Sequence, residues 1–336
     1  MKKIAFITDG GKNIGMGHIV QSTTLAIEIK AAYKHFDIIF LTKSAKQIIK
    51  YIQEHGFNVF RKKTDDELFD TLKYIAPKLI IIDKIDVNEV FAKRIKENLS
   101  SKLAIFTNIT SANRYADIAV IAVIADFGSN FRNIKYFNEK TNTLYCLGPK
   151  YWILRREFYE LMKKKKKIPD KIQKILLLFG GSDPLNITTA ALERLLTFEE
   201  DFFIDVVLGN GFRFYTSLKQ VLYNCPVNNK KVEIFRNIKN VAEMMFKADL
   251  ILTSPGLSLF EALSIGTPAI VFHQNALQAD EYKGFISTLE KTEIHNLQSI
   301  IKNRKFVDPN SDFISKLEIG QGKEELLKIL LENIER

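Results

Sequence analysis

The sequence predicts an α/β protein built from two Rossmann-like, doubly wound parallel-sheet domains facing a cleft. Three observations predict it. Short apolar runs alternate with amphipathic stretches, the rhythm repeats in both halves, and glycine-rich turns follow the first strand of each half. Continuous apolar runs, unlike alternating ones, belong to strands covered on both faces. A βαβα rhythm then implies a doubly wound sheet. At 336 residues, the chain is long enough for two cores.

In the first half the strand-like runs are Ile4–Ile7, Ile38–Leu41, Leu79–Ile82, Leu103–Phe106 and Ala119–Ile124. Helical patterns cover Ile19–Ala32 and Asn88–Leu99, and Thr64 with Glu67 three residues on suggests a capping box. In the second half the runs are Ile175–Phe179, Phe203–Leu208, Val232–Phe235, Leu250–Leu252 and Ala269–Phe272. Helices are expected after Asn186, Val241 and Leu257. These patterns place an N-terminal domain at 1–153, a charged linker at 154–171 and a nucleotide-binding domain at 172–336. A last amphipathic helix, Gly322–Glu335, is of the kind that packs back on the first domain in two-domain folds.

Composition excludes several classes. Hydrophobic residues make up 46% and charged residues 26%, as in soluble globular proteins. No apolar run approaches the roughly 18–20 residues that span a bilayer. The apolar start Ile4–Ile7 is too short for a signal peptide and ends at Thr8-Asp9-Gly10, so a first strand is expected. Cys146 and Cys225 are the two cysteines and have no metal-ligand spacing, which fits a reduced, cytoplasmic protein. The five histidines form no H-E-x-x-H pair, so neither metal nor cofactor is expected. The net charge of +10 favours anionic partners. No nucleic-acid signature accompanies it. The run Lys163–Lys167 is either a solvated segment or a place for peripheral contact with an acidic membrane. The sequence fixes no oligomeric state.

Ligands of open α/β sheets bind beyond the carboxyl ends of strands. After the first strand comes Asp9-Gly10-Gly11-Lys12-Asn13-Ile14-Gly15-Met16-Gly17-His18, directly before a helix. Gly15 and Gly17 let a ligand approach the backbone, and the helix start presents N–H groups to an anion. A neutral imidazole at His18 can take a proton from water. A glycine turn with a surface histidine remains the alternative. Val20 stands where a third dinucleotide-site glycine would.

In the second half, Phe179-Gly180-Gly181-Ser182-Asp183-Pro184 has small residues suited to phosphate oxygens, or is an ordinary β–α turn capped by Asp183. Gly256 and Ser258 open a later helix that carries Glu261. That carboxylate could accept hydrogen bonds from the vicinal hydroxyls of a ribose, or serve Ser258 in a capping box. Gln278, beyond the next strand, is a further candidate for the cleft.

At these residues the chain resembles the UDP-sugar hydrolases of pseudaminic acid biosynthesis and the related spore-coat polysaccharide proteins. Both belong to the GT-B group that includes the MurG glycosyltransferase. The resemblance covers about residues 1–280. It rests on Ile14-Gly15-Met16-Gly17-His18, Leu147-Gly148-Pro149, Leu154-Arg155-Arg156-Glu157-Phe158, Phe179-Gly180-Gly181-Ser182-Asp183-Pro184 and Gly256 through Pro268. It implies a GT-B fold and metal-free hydrolysis of a UDP-linked diacetamido-trideoxy-altropyranose, with His18 as the catalytic residue. It further implies that Glu261 binds ribose and that Gly17, Gly181 and Ser182 hold the pyrophosphate.

The chain departs from the family pattern at the sugar side. Gln21 replaces an arginine, and Asp83-Lys84-Ile85 stands where Asp-His-Tyr is usual. Thr107-Asn108-Ile109-Thr110 replaces Asp-Asp-Leu, and Pro255-Gly256-Leu257-Ser258 replaces Gly-Gly-Ser. Asp9, Gln21 and Asp83 are therefore the sugar-side candidates. A glycosyltransferase using a UDP-sugar donor and a non-catalytic nucleotide-sugar-binding protein are the alternative functions.

Overall fold

The computed structural model describes the whole chain except residues 12–14, 107–108, 123–131, 225–230, 237, 239, 333 and 335–336. Parts of the expected loop before His18, the segment Thr107-Asn108, the end of the run Ala119–Ile124, Cys225 and Glu335 lie outside the described residues. The described residues form two compact units. The first runs to Leu154 and regains the chain at Leu317, and the second takes Arg155–Lys316.

The first unit holds an eight-stranded sheet. Its strands are β1 (Lys2–Thr8), β2 (Phe36–Thr42), β3 (Asn58–Arg61), β4 (Leu79–Asp83), β5 (Lys102–Phe106), β6 (Ile118–Ile121), β7 (Ile134–Asn138) and β8 (Thr143–Leu147). Their order is β3-β2-β1-β4-β5-β6-β8-β7, and β7 alone runs antiparallel to its neighbour. The helices are α1 (Gly17–Ala32), α2 (Lys46–Glu54), α3 (Asp65–Ile75) and α4 (Glu89–Asn98). Alternate residues of β1 feed two cores. Ile4 and Phe6 pack with Leu25 and Ile29 of α1, and Ala5 and Ile7 pack with Leu68, Leu72 and Ile95 of α3 and α4. Covering both faces is what turns the apolar runs into parallel strands.

Caps set the helix starts. Thr64 Oγ1 accepts from the Glu67 N–H at 3.1 Å, and Asn88 Oδ1 accepts from the Phe91 N–H at 3.1 Å. The return bond from Glu67 lands one residue early, on the Lys63 N–H at 2.7 Å. Strands β3, β7 and β8 and helix α2 were not anticipated. β3 and β7 are sheet edges with mostly exposed side chains, so they lack an apolar run.

The second unit has α5 (Arg156–Met162), β9 (Lys174–Leu178), α6 (Ile187–Leu196), β10 (Phe203–Leu208) and α7 (Tyr215–Asn224). There follow β11 (Lys231–Arg236), α8 (Val241–Lys247), β12 (Leu250–Thr253), α9 (Leu257–Ser264) and β13 (Ala269–Val271). Three helices, α10 (Ala276–Tyr282), α11 (Leu297–Lys302) and α12 (Asp312–Ser315), complete it. All five strands are parallel in the order β11-β10-β9-β12-β13.

The stretch read as a linker is not one along its length. Arg156–Met162 is helical, buries Phe158 and Leu161, and belongs to the second unit. Within the lysine run, Lys166 turns inward and donates to Ala248 O at 2.5 Å and Thr267 Oγ1 at 2.7 Å. It therefore closes the carboxyl end of α8 rather than facing solvent, and burial pulls its ammonium down to about 8.

The last helix, α13 (Lys323–Leu331), lies within the first unit. Leu326, Leu327, Leu330 and Leu331 enter its core, each contributing about 1.5–3 kcal/mol of burial. Lys323 pairs with Glu28 of α1 at 2.7 Å, and Lys102 Nζ caps the helix end at Ile329 O, 2.7 Å away. Among the described residues, no helix is long and apolar enough to cross a membrane.

Candidate functional site

Strand order fixes where ligands can enter each unit. In the first sheet the winding reverses between β1 and β4, and in the second between β9 and β12. Chain leaving neighbouring strands in opposite directions opens a crevice at their carboxyl ends. The loops after β1, β4, β9 and β12 are therefore the candidates in each unit.

After β1, Gly11 and Gly15 exchange backbone hydrogen bonds at 2.9 and 2.7 Å. Their φ angles, +146° and +83°, strain any residue with a Cβ. A Cβ added at Gly11, Gly15 or Gly17 would meet no atom within 4 Å among the described residues. Helix α1 starts at Gly17, and Met16 before it gives no side-chain cap. Unfilled N–H groups at such a start can receive an anion.

His18 sits in the first turn of α1 with its side chain 12% exposed. Its Nδ1 lies 2.8 Å from Asp83 Oδ1 at the end of β4, and Asp83 is 1% exposed. Ser22 Oγ donates to the other oxygen, Oδ2, at 2.9 Å. Register explains the encounter: Thr8 pairs with Asp83, so the loop leaving β1 passes over the end of β4.

Asp9 has a separate set of partners. Its carboxylate takes Lys84 Nζ at 2.7 Å, the Lys43 N–H at 2.6 Å and Thr42 Oγ1 at 3.0 Å, tying together the ends of β1, β2 and β4. Burial works to raise the Asp9 carboxyl, but Lys84 and these donors outweigh it and hold it below the usual carboxylate range. Gln21 is buried in α1. Of the three sugar-side candidates, Asp83 meets His18.

The second crevice is built differently. After β9, Gly180 has φ +75°, and Gly181 O accepts from the Gly211 N–H at 2.7 Å. A Cβ on Gly209 would fall 2.4 Å from the carbonyl oxygens of Gly180 and Gly181, so the loops after β9 and β10 press backbone on backbone. Ser182 is half-buried. Asp183 is buried, and its two oxygens accept from the Ile187 and Thr188 N–H groups at 2.9 and 2.8 Å. Burial raises its carboxyl against these bonds. The amino end of α6 is thus closed by Asp183 rather than by its N-cap residue Asn186, which gives no side-chain cap bond, and the β–α-turn alternative describes Asp183.

Across the switch, Gln274 Nε2 donates to Phe179 O at 2.9 Å and to Ser254 Oγ at 2.5 Å, joining the ends of β9 and β12. Gln278 supports it. Its Oε1 accepts from the Gln274 N–H at 2.8 Å, and its Nε2 donates to Pro255 O at 3.3 Å. Gly256 has φ +128° and open space at its Cβ position, and it starts α9 without a side-chain cap. Ser258, in the first turn of α9, is half-buried. Its cap residue gives this amino end no side-chain bond, and the Gly256 backbone is itself bonded to the Tyr282 hydroxyl.

Glu261 lies inside. It is wholly buried, and Arg155 grips it with Nε–Oε1 at 2.7 Å and Nη2–Oε2 at 2.8 Å. Burial pushes the Glu261 carboxyl up, and the guanidinium opposes it. The fork expected for ribose hydroxyls is filled by Arg155, and the capping-box alternative fails because α9 has no side-chain cap. Sequence reasoning singled out neither Ser22, Lys84 nor Gln274. The i, i+4 spacing of His18 and Ser22 was the available signal for the first. Among the described residues, no group of three or more His, Cys, Asp or Glu could hold a metal ion.

No protein-family model matches this chain. It is 41% identical over 331 residues to an uncharacterized protein of Methanocaldococcus jannaschii, covering 98% of this chain. The chain spans 66% of that relative, just under two thirds of its length. It is 25% identical over 297 residues to the spore coat polysaccharide biosynthesis protein SpsG of Bacillus subtilis, covering 84% of this chain and 80% of SpsG. Among solved structures, MurG of Acinetobacter baumannii superposes with a TM-score of 0.63 at 11% identity, over 99% of this chain and all of that one. An S. aureus MnaA–UDP structure superposes with a TM-score of 0.62 at 12% identity, over 100% and 97% of the two chains. Identities this low speak for the fold alone, and that fold is GT-B: two Rossmann-like units, each with its own parallel sheet.

Proposed function

We propose that this chain is an enzyme of polysaccharide biosynthesis that breaks the bond between a sugar and its nucleoside diphosphate, transferring the glycosyl group to an acceptor hydroxyl. The observation that carries the reading is the contact of His18 with Asp83 beside the backbone pairing of Gly11 with Gly15. An ionised carboxylate only accepts, so Nδ1–H donates to it, and the neutral ring holds its basic lone pair on Nε2. That nitrogen takes the proton of the attacking O–H. The oxygen bonds to the anomeric carbon, the bond from that carbon to the phosphate oxygen breaks, and its electron pair leaves with the diphosphate.

The second unit supplies the anion-binding part. Gly181, Ser182, Gly256 and Ser258 are assigned to a diphosphate, whose developing charge fixed N–H groups would stabilise. Glu261 is assigned to the scaffold through Arg155, and Gln278 to holding the loop. SpsG, by its name, supports the polysaccharide pathway, and the MnaA complex supports UDP as the nucleotide.

Water in place of the acceptor hydroxyl gives a hydrolase, the second reading. The segments Gly180-Gly181-Ser182-Asp183-Pro184 and Leu154-Arg155-Arg156-Glu157-Phe158 favour it. One assay separates the two: UDP release from a panel of UDP-sugars, with and without lipid-linked and glycan acceptors. Release only with an acceptor supports transfer, and release without one supports hydrolysis. UDP-sugar binding with no release under any condition makes the chain a binding protein and overturns both.

A further inference from the structure

The turn between β12 and α9 is held by a ladder of side chains. Gln274, Gln278 and Tyr282 stand four residues apart, the spacing that lines up one face of a helix, and the last two belong to α10. They meet three successive residues of the turn. Gln274 Nε2 donates to Ser254 Oγ at 2.5 Å, Gln278 Nε2 donates to Pro255 O at 3.3 Å, and the Tyr282 hydroxyl accepts from the Gly256 N–H. The Tyr282 ring packs on Phe260 of α9 and on Phe285, with centroids 6.2 and 6.1 Å away, and the residue is 3% exposed.

Two kinds of donor at this turn have no acceptor among the described residues. At the start of α9 the Leu259 and Phe260 N–H groups reach Gly256 O, and those of Leu257 and Ser258 reach nothing. Gly256, Leu257 and Ser258 are half-buried, so a ligand can approach them. The second donor is the Tyr282 O–H. A phenol that accepts from Gly256 still has its own proton to give, and burial pushes the group up, so that proton stays on. A nearly buried hydroxyl whose proton finds no acceptor is destabilising, and a ligand oxygen at the turn removes that cost.

We propose that Tyr282 contacts the ligand: its O–H donates to a phosphate oxygen of a nucleoside diphosphate, beside the N–H groups of Leu257 and Ser258. Three donors at one turn suit an anion and repel a cation. Gln274 and Gln278 hold the backbone of the turn, and so keep the hydroxyl and the N–H groups together. The inference deepens the proposed function and rests on its placement of the diphosphate in the second unit.

The test measures binding of UDP and of uridine, which differ by the diphosphate, to the full-length protein by calorimetry. Tyr282→Phe keeps the ring and removes the hydroxyl. It is expected to weaken UDP binding by about 10-fold or more, the scale of a hydrogen bond to a charged group, and to leave uridine binding at its wild-type value. Unchanged UDP affinity overturns the inference and leaves the proposed function standing. Equal losses for both probes also overturn it, because the tyrosine then serves the packing of the unit rather than the phosphate. A ring-fluorinated tyrosine in place of Tyr282 reads the contact directly, and carries the test should the phenylalanine variant fail to fold. Its ¹⁹F signal is expected to move with UDP and not with uridine, and a signal unmoved by bound UDP overturns the contact. Wild-type protein that binds UDP no more tightly than uridine overturns the placement of the diphosphate itself, and the inference with it.

Discussion

The two crevices share a strand order and little else. In the first unit the carboxyl ends of the strands carry charged and ionisable side chains: His18 with Asp83, and Asp9 with Lys84. In the second they carry glycines, backbone, the neutral amides of Gln274 and Gln278 and the carboxylate of Asp183, which is held by the start of α6, while the charged pair Arg155–Glu261 is buried at α9. One topology thus supports two chemistries. Proton transfer needs a titratable group held in one orientation. Anion recognition needs fixed N–H groups that no carboxylate already occupies.

The sharpest way to test that contrast is to remove the base. His18→Ala is expected to lower UDP release by about 10²–10⁴-fold while UDP binding stays near wild type. Equal losses in both, measured by turnover and by calorimetry, would mean that the first crevice also carries the nucleotide. Next in size is the buried pair. Arg155→Met leaves the Glu261 carboxylate buried without its fork and should cost about 3–5 kcal/mol in urea unfolding, with Arg155→Met/Glu261→Leu recovering most of it. If the double variant is no more stable than the single, the pair does not act as a unit.

Gly209→Ala probes the backbone character of the second crevice. Its methyl would lie 2.4 Å from two carbonyl oxygens, so the loop after β9 must shift. A destabilisation of about 1–3 kcal/mol with weakened UDP binding is expected, and unchanged binding would separate this loop from the anion. The smallest effect is in the first unit. The Asp9 carboxyl titrates lower when folded than when unfolded, so its contribution is complete above about pH 4 and is lost as pH falls through its folded value. Lys84→Met should raise that folded value and flatten the acid-side loss of stability. An unchanged acid profile would show that the backbone and Thr42 donors suffice.

Much of the fold was legible because its signals are local. The apolar runs at Ile38–Leu41 and Leu79–Ile82 lie in strands because burial on both faces demands unbroken apolar sequence. The caps at Thr64 and Asn88 were equally local. The edge strands β3 and β7 were missed because one partner and exposed faces leave no such run. Arg156–Met162 looked like a linker because its charges mask the two side chains, Phe158 and Leu161, that it buries.

The glycine turns and His18 could be picked out from residue type and position after a strand. What the sequence by itself determined is therefore the element rhythm, the two sheets and the loops where chemistry can occur. The tertiary structure alone decided the partners. His18 meets Asp83 across 65 residues, and Arg155 meets Glu261 across 106. Strand order and register bring such groups within 3 Å, and no local preference encodes that approach. The same holds for the chain end, whose leucines suit any core. It joins the first unit because Lys102, Glu28 and an open apolar face wait there.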